Sequence, residues 1–248
     1  MELRAPSGVG KSYLTLTTAK LMPDEDVIFK TRITARYLDY LEENSLIGKI
    51  LIIAERPGSQ DANYSIRMIT DDTSSGIVVG YPRKNPLTSE FESVDKVVKG
   101  PLVFVQTSTE LDANPENESR VFNVYLNDSE EQRIAIQKAV KHSCIPHQNI
   151  TEEERDNIIR RHKNAQRLLE QLPVAIPYAH LVEFPTSNYR STRDLKRFLS
   201  FIKTSAFFHQ YQRGRCEMNG KSYVVVNVVD YEIAYKLAKR VLWRHNQT

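Results

Sequence analysis

The residues Ala5-Pro6-Ser7-Gly8-Val9-Gly10-Lys11-Ser12 have the spacing A-x-x-x-x-G-K-S. A loop this rich in small residues can turn its backbone N–H groups inward around an anion. A helix that starts where such a loop ends adds its first-turn N–H groups and the positive end of its dipole. In this pattern the lysine, Lys11, reaches the β- and γ-phosphates of a nucleotide, and the Ser12 hydroxyl ligates Mg²⁺. Ser7, Gly8, Val9, Gly10, Lys11, Ser12 and Tyr13 are therefore candidate nucleotide-binding residues, with Ala5 where glycine is usual. The bland alternative is an ordinary glycine-rich turn, and the flanking elements decide between the two.

A phosphate-binding loop needs a strand before it and a helix after it. The helix is legible in Tyr13 to Met22, whose apolar residues recur at helical spacing and stop at Pro23. The strand is curtailed: only Met1-Glu2-Leu3-Arg4 precede the loop. Asp26 to Lys30 reads as a short strand and Thr34 to Glu43 as a helix. Lys49 to Glu55 is a continuous apolar run ending in an acid, as a buried central parallel strand would read. Ala62 to Met68 reads as helical. This alternation predicts an α/β fold with a parallel core.

A hairpin follows, from strand 76–81 to strand 90–98, with a basic, proline-containing tip at 82–89 that carries Arg83 and Lys84. Pro101 to Gln106 is another buried strand, and Arg120 to Tyr125 another. Helices are expected over 129–141 and 151–171, the second opened by a Thr151/Glu154 capping box. Pro173 to Pro185 is extended. An amphipathic helix is expected over 192–212, an Asn-Gly hairpin over 216–226, and a last helix from Asp230.

Hydrolysis of a nucleoside triphosphate requires more than a phosphate cradle. A carboxylate at the end of a neighbouring strand must hold the metal or the attacking water, and Glu55 is the candidate; the alternative is the solvated end of a strand. Thr107, at the end of the 101–106 strand, can hold water or sense the γ-phosphate, or simply cap the strand. Arg120, after the acidic loop 112–119, can project into a neighbouring subunit as an arginine finger or pair with Glu116 or Glu118 in its own chain. Arg193, at the start of an amphipathic helix, can reach a bound nucleotide's phosphates or belong to a plain basic face.

Composition sets the class. The 248 residues, 40% hydrophobic and 26% charged, suit an ordinary globular protein of one large domain or two smaller ones. No apolar run is long enough to span a bilayer, and no signal peptide is visible. Two cysteines cannot build a disulfide framework, so the expected setting is reducing and cytoplasmic. Cys144, near His142 and His147, lacks a second ligand pair for zinc. The net charge of +3 is uneven. Residues 1–150 hold 17 Lys/Arg against 21 Asp/Glu, and residues 151–248 hold 17 against 10. A basic back half suits contact with polyanions or a solvated helical surface.

Taken in order, the loop, the acid-ended strand, the hairpin, the Thr107 strand, Arg120 and the basic helix start resemble the AAA+ class of P-loop ATPases. Ile52-Ile53-Ala54-Glu55, Asn117 to Phe122 and Arg193 to Leu199 are similar to the helicase/ATPase region that accompanies zinc-finger/Toprim primases of mobile elements. The resemblance implies a three-layer α/β P-loop core over 1–127 with a β-hairpin insertion. A mainly helical lid and basic C-terminal region, with its own hairpin, would cover 128–248. It implies ATP and Mg²⁺ as ligands and a ring-forming homo-oligomer on single-stranded or forked DNA. There, Arg83 and Lys84 would touch phosphates, and a primase is a further expected partner. In that group Ala-Glu at the acidic strand end is usual. No zinc-finger or Toprim motif is present, and the chain reads as a split or trimmed product of a larger replication protein. Two other readings stay open: a nucleotide-dependent loader or switch acting on a protein partner, and a truncated ATPase domain that binds nucleotide without turnover.

Overall fold

Five parallel strands organise the first half of the chain. In the computed structural model, which describes residues 1–34, 37–54, 77–84, 90–100, 102–109, 122–145, 150–186 and 191–242, these are β1 (Glu2–Arg4), β2 (Val27–Lys30), β3 (Ile50–Ile53), β6 (Val103–Ser108) and β7 (Asn123–Tyr125). Their order across the sheet is β2-β3-β6-β1-β7, every pairing parallel. Parallel strands need crossovers, and the helix α1 (Lys11–Ala19) supplies the first, between β1 and β2. The chain divides into two compact units, Met1–His162 and Lys163–Thr248.

Strand alternation sorts the apolar residues of the sheet to two faces. Leu51, Ile53 and Phe104 join Ile33, Leu38, Leu46 and Val98 in one buried cluster. Leu3, Ile52 and Val105 form a second cluster, with Ala19 of α1 against it. A run such as Ile50–Ile53 therefore has apolar side chains both ways, which is why it reads as continuous rather than alternating.

β1 is short, and it is nevertheless an interior strand. Leu3 pairs with Thr107 on one side and Val124 on the other. The helix expected over 34–43 does not form; of its described residues, Leu38–Tyr40 make one 3₁₀ turn. Leu38 and Leu46 are both fully buried in the first cluster. Turns through 42–48 bring the two leucines under the sheet, and that burial outweighs the weak helix propensity of a segment holding Thr34, Tyr37 and Tyr40. The helix read at 62–68 lies outside the described residues.

The hairpin is a separate two-stranded ribbon, β4 (Ile77–Lys84) with β5 (Phe91–Val98). Pairing runs further than the tip at 82–89 allowed: Pro82, Arg83 and Lys84 face Ser93, Glu92 and Phe91. Proline is tolerated because both strands of a ribbon are edges. Residues 85–89 lie outside the described set. The helices α2 (Glu130–Ser143) and α3 (Glu152–Arg167) complete the region. Ser129 accepts from the N–H of Gln132 to cap α2. Thr151 and Glu154 cap α3 reciprocally, at 2.9 and 3.2 Å.

The second unit packs α4 (Ser191–Phe208) and α5 (Val228–Val241) with a small sheet of β8 (Val174–Ala175), β9 (Arg215–Met218) and β10 (Lys221–Val225), in the order β8-β10-β9. Its core is Phe198, Ile202, Ala206, Val224, Val226, Ala234 and Ala238. Asn219 and Gly220 take φ of 52° and 72°, the turn the Asn-Gly pair predicts. α5 starts at Val228 with Asn227 as its cap, and Asp230 returns a bond to the Asn227 N–H at 2.9 Å.

Asp230 is the polar centre of this unit. Fully buried, it also accepts from Ser205 Oγ on α4 and from Nε and Nη2 of Arg213, each at 2.7 Å. Burial pushes its carboxyl pKa up, but the bonds from Arg213, Asn227 and Ser205 and the guanidinium charge outweigh that and hold it below the ordinary aspartate value. The carboxylate's stabilisation is therefore present above the unfolded aspartate pKa of about 4 and is lost as pH falls through the lower folded value. Asp230→Asn is expected to lower stability at pH 7 by about 3 kcal/mol, because it leaves Arg213 without its counter-charge. It should also flatten the acid limb of thermal unfolding followed by circular dichroism between neutral and acid pH.

Candidate functional site

Two residues after Leu3 the chain enters the loop. Ala5, the last buried backbone position, donates to the Ser108 carbonyl at 3.4 Å and so ties the loop's first residue to β6. Gly8 and Gly10 have φ of 85° and 94°, a region open to glycine and strained for other residues. A Cβ built at either position meets nothing within 4 Å. Conformation rather than crowding is thus what requires glycine there. Gly10 caps α1 and, being glycine, has no side chain to accept from the first-turn N–H groups. The helix start therefore offers backbone donors and the positive dipole end together.

Lys11 folds back over the loop. Its side chain is 8% exposed, and Nζ donates to the carbonyls of Ala5 at 2.6 Å and Pro6 at 2.8 Å. An ammonium has three donors, so one remains for an anion in the same place. Thr15, one turn on, donates to the Lys11 carbonyl at 2.9 Å and stiffens the first turn. Ser7, Gly8, Gly10, Ser12 and Tyr13 are exposed and Val9 half-buried. The loop's outer surface is thus accessible, while its lysine is anchored from beneath.

The C-terminal ends of β1, β6 and β3 lie side by side. Thr107, buried on β6, donates from Oγ1 to the Ala54 carbonyl at 2.5 Å. It belongs to the strand, which runs through Ser108, two residues past the end read from sequence. Its hydroxyl proton is committed to the residue that precedes Glu55, so its contribution here is to hold the end of β3. Glu55 and Arg120 themselves lie outside the described residues. Arg83 and Lys84 are exposed on β4. Arg193 is exposed in the first turn of α4, in the second unit.

A buried polar row beside the loop escaped the sequence reading. Arg4 and Glu2, 1% and 2% exposed, form an ion pair at 2.7 Å, and Arg4 Nε donates to Asn123 Oδ1 at 3.1 Å. Gln106, at the register position of Glu2, is buried alongside, and the Oε1 atoms of Glu2 and Gln106 have no hydrogen-bond partner among the described residues. The available signal was the alternation Glu2-Leu3-Arg4, which sends two charges to the face opposite Leu3. Among the described residues no helix is long and apolar enough to cross a membrane.

Gly10→Ala tests the loop's backbone directly. The open space around Cβ removes steric clash as a cause, so the expected loss of about 1–2 kcal/mol in thermal or urea unfolding reports the left-handed conformation alone.

No curated protein matches the chain. A family model described as the MTBMA_p00010 P-loop domain matches residues 2–170, the stretch that holds the parallel sheet, the loop and α1 to α3. With a match over more than half its length and a loop of this geometry between β1 and α1, the chain belongs to the MTBMA_p00010 P-loop domain family.

Proposed function

We propose that the chain binds ATP at residues 7–13 and hydrolyses it, working as a homo-oligomer that moves along single-stranded or forked DNA in the replication of a mobile element or phage. The observation that carries this reading is the strand order. β6, with Thr107, lies between β1, which feeds the loop, and β3, which runs into Glu55. In an open parallel sheet, ligands bind beyond the carboxyl ends of the strands, where the chain's direction across the sheet reverses. Here the chain leaves β1 for the far edge at β2, returns through β3 and β6, and ends on the other side of β1 at β7.

The residues present fit a metal-bound nucleotide. The first turn of α1 has no side-chain cap, a Cβ at Gly8 or Gly10 would meet nothing within 4 Å, and the Ser12 hydroxyl is exposed at the helix start. Mg²⁺ bound with ATP, held by Ser12 and Glu55, supplies neutralisation of the phosphate oxygens. The remaining roles fall to the chain. Lys11 binds the β- and γ-phosphates with the donor left over from Ala5 and Pro6. Glu55 orients the attacking water and takes its proton. Thr107 holds the strand end that carries Glu55. Arg120 from a neighbouring subunit stabilises charge on the transferring phosphoryl group. Arg83 and Lys84 bind DNA phosphates from the β4–β5 ribbon, which corresponds to the pre-sensor hairpin of helicase-type AAA+ ATPases.

The test is ATP binding and turnover of the full chain, with and without single-stranded DNA. Lys11→Ala should abolish binding. Glu55→Gln should retain binding and lose about 100-fold or more in turnover, the usual worth of a positioned general base. Arg83→Ala with Lys84→Ala should remove stimulation by DNA and leave basal turnover intact. Unchanged binding in Lys11→Ala overturns the site. Turnover without any DNA response supports the loader reading instead.

Thr107 separates holding from sensing. Thr107→Val keeps the shape and loses the bond to Ala54, so kcat should fall about tenfold or more with KM unchanged, as a misplaced catalytic group costs. Thr107→Ser, which keeps the hydroxyl, should restore it.

A further inference from the structure

The second unit carries an excess of positive charge, and the first an excess of negative charge. Residues 163–248 hold 14 Lys/Arg against 6 Asp/Glu, while residues 1–162 hold 20 against 25. Some of its cations serve the unit's own carboxylates. Arg213 binds Asp230, Arg215 pairs with Glu170 at 3.1 Å, and Arg197 pairs with Asp194 at 3.2 Å. The outer face of α4 carries a further row. Arg193, Lys196, Ser200 and Lys203 recur at three- and four-residue spacing, so they share one side of the helix. All four are exposed, and the opposite side, with Phe198, Ile202, Ser205 and Ala206, is buried in the unit's core. The only acid on α4 is Asp194, off this stripe and paired with Arg197.

Pairing along the helix does not explain Lys196 and Lys203, since the one acid of α4, Asp194, is paired with Arg197. A cation in the first turn opposes the dipole, a cost of a few tenths of a kcal/mol or more. No carboxylate on the helix faces the stripe.

We propose that this face of α4 docks on duplex DNA. The stripe from Arg193 to Lys203 spans roughly 15 Å at 1.5 Å per residue, close to four base-pair steps. A helix with its side chains is about 10–12 Å across and enters a major groove about 12 Å wide. The stripe has no aromatic side chain, so it offers no platform for stacking unpaired bases. It has no apolar side chain to insert into a bilayer. The buried side anchors the helix before any partner arrives, so little ordering is lost on docking. The stripe lies within the second unit, and its docking is tested without nucleotide.

The experiment measures binding of the full chain, without nucleotide, to a labelled short duplex and to its single strand by fluorescence anisotropy between about 50 and 200 mM salt. With Arg83→Ala and Lys84→Ala removing the contacts proposed for the β4–β5 ribbon, the chain should bind the duplex more tightly than the strand. Lys196→Gln with Lys203→Gln should weaken duplex binding on the order of tenfold and lower the slope of log affinity against log salt by about two, one for each phosphate no longer neutralised. Lys236→Gln with Lys239→Gln removes the same charge from exposed positions on α5 and should change neither quantity. All four positions are exposed, and matched thermal unfolding checks that each variant folds. Equal losses in the two double variants would reduce the effect to net charge and overturn the proposal. So would an unchanged salt slope, or, with Arg83→Ala and Lys84→Ala in place, tighter binding to the single strand. Lys11→Ala should bind the duplex as the wild type does, so failure of the ATP reading leaves this result untouched.

Discussion

Leu3 is hemmed in by Thr107 and Val124, and the anion-binding loop begins two residues later. β1 therefore decides where the loop sits, although it has only three residues. It uses nearly every group it has. The Met1 ammonium donates to the Phe104 carbonyl at 2.6 Å, Gln106 donates to the Met1 carbonyl at 3.0 Å, and Glu2 donates to Phe122 at 2.8 Å. Register is guarded by polarity. A slip of one residue would turn Glu2 and Arg4 toward the cluster of Ile52, Val105 and Ala19, and expose Leu3 to the polar row. The buried Glu2–Arg4 pair gains little net stability over an apolar pair, but separating its members would leave an uncompensated charge in the sheet.

From that strand the site is assembled by short links. Ala5 is bonded to Ser108, Lys11 is bonded to Ala5 and Pro6, and Thr107 is bonded to Ala54. Ala5–Ser108 and Thr107–Ala54 join the carboxyl ends of neighbouring strands, and Lys11 ties the start of α1 back to the loop, so these parts are held to one edge. The two positive-φ glycines let the backbone turn between β1 and α1 without strain. The second unit uses a different device. One buried carboxylate, Asp230, gathers bonds from α4, from Arg213 and from the start of α5, and so sets the helices while their outer faces stay free to carry charge.

Much of this was legible along the chain because the signals are local. A glycine-lysine-serine spacing, an apolar run bounded by turns, an Asn-Gly pair and a Thr-x-x-Glu box each act within a few residues. The two hairpins, the capped α3 and the strands at 27–30 and 50–53 emerged where those signals stood, while the strand read over 101–106 runs on to Ser108. The helix over 34–43 did not, because Leu38 and Leu46 respond to a core that no local pattern contains. The reach of β4 through Lys84 was hidden for the same reason: Pro82 reads as a turn until a partner strand is present to pair with its neighbours.

The sequence by itself determined the chemistry available at the loop. Small residues, one lysine and the Ser12 hydroxyl beside it, at that spacing, suit a phosphate, since these properties belong to residue types and to a short span of chain. Only the tertiary structure decided what stands around it. That β1 is an interior strand, that β6 lies between β1 and β3, and that Thr107 gives its proton to Ala54 all depend on hydrogen bonds between segments about 50 to 100 residues apart. Side-chain type determines what a residue can donate or accept; the pairing of distant strands determines which atom it meets.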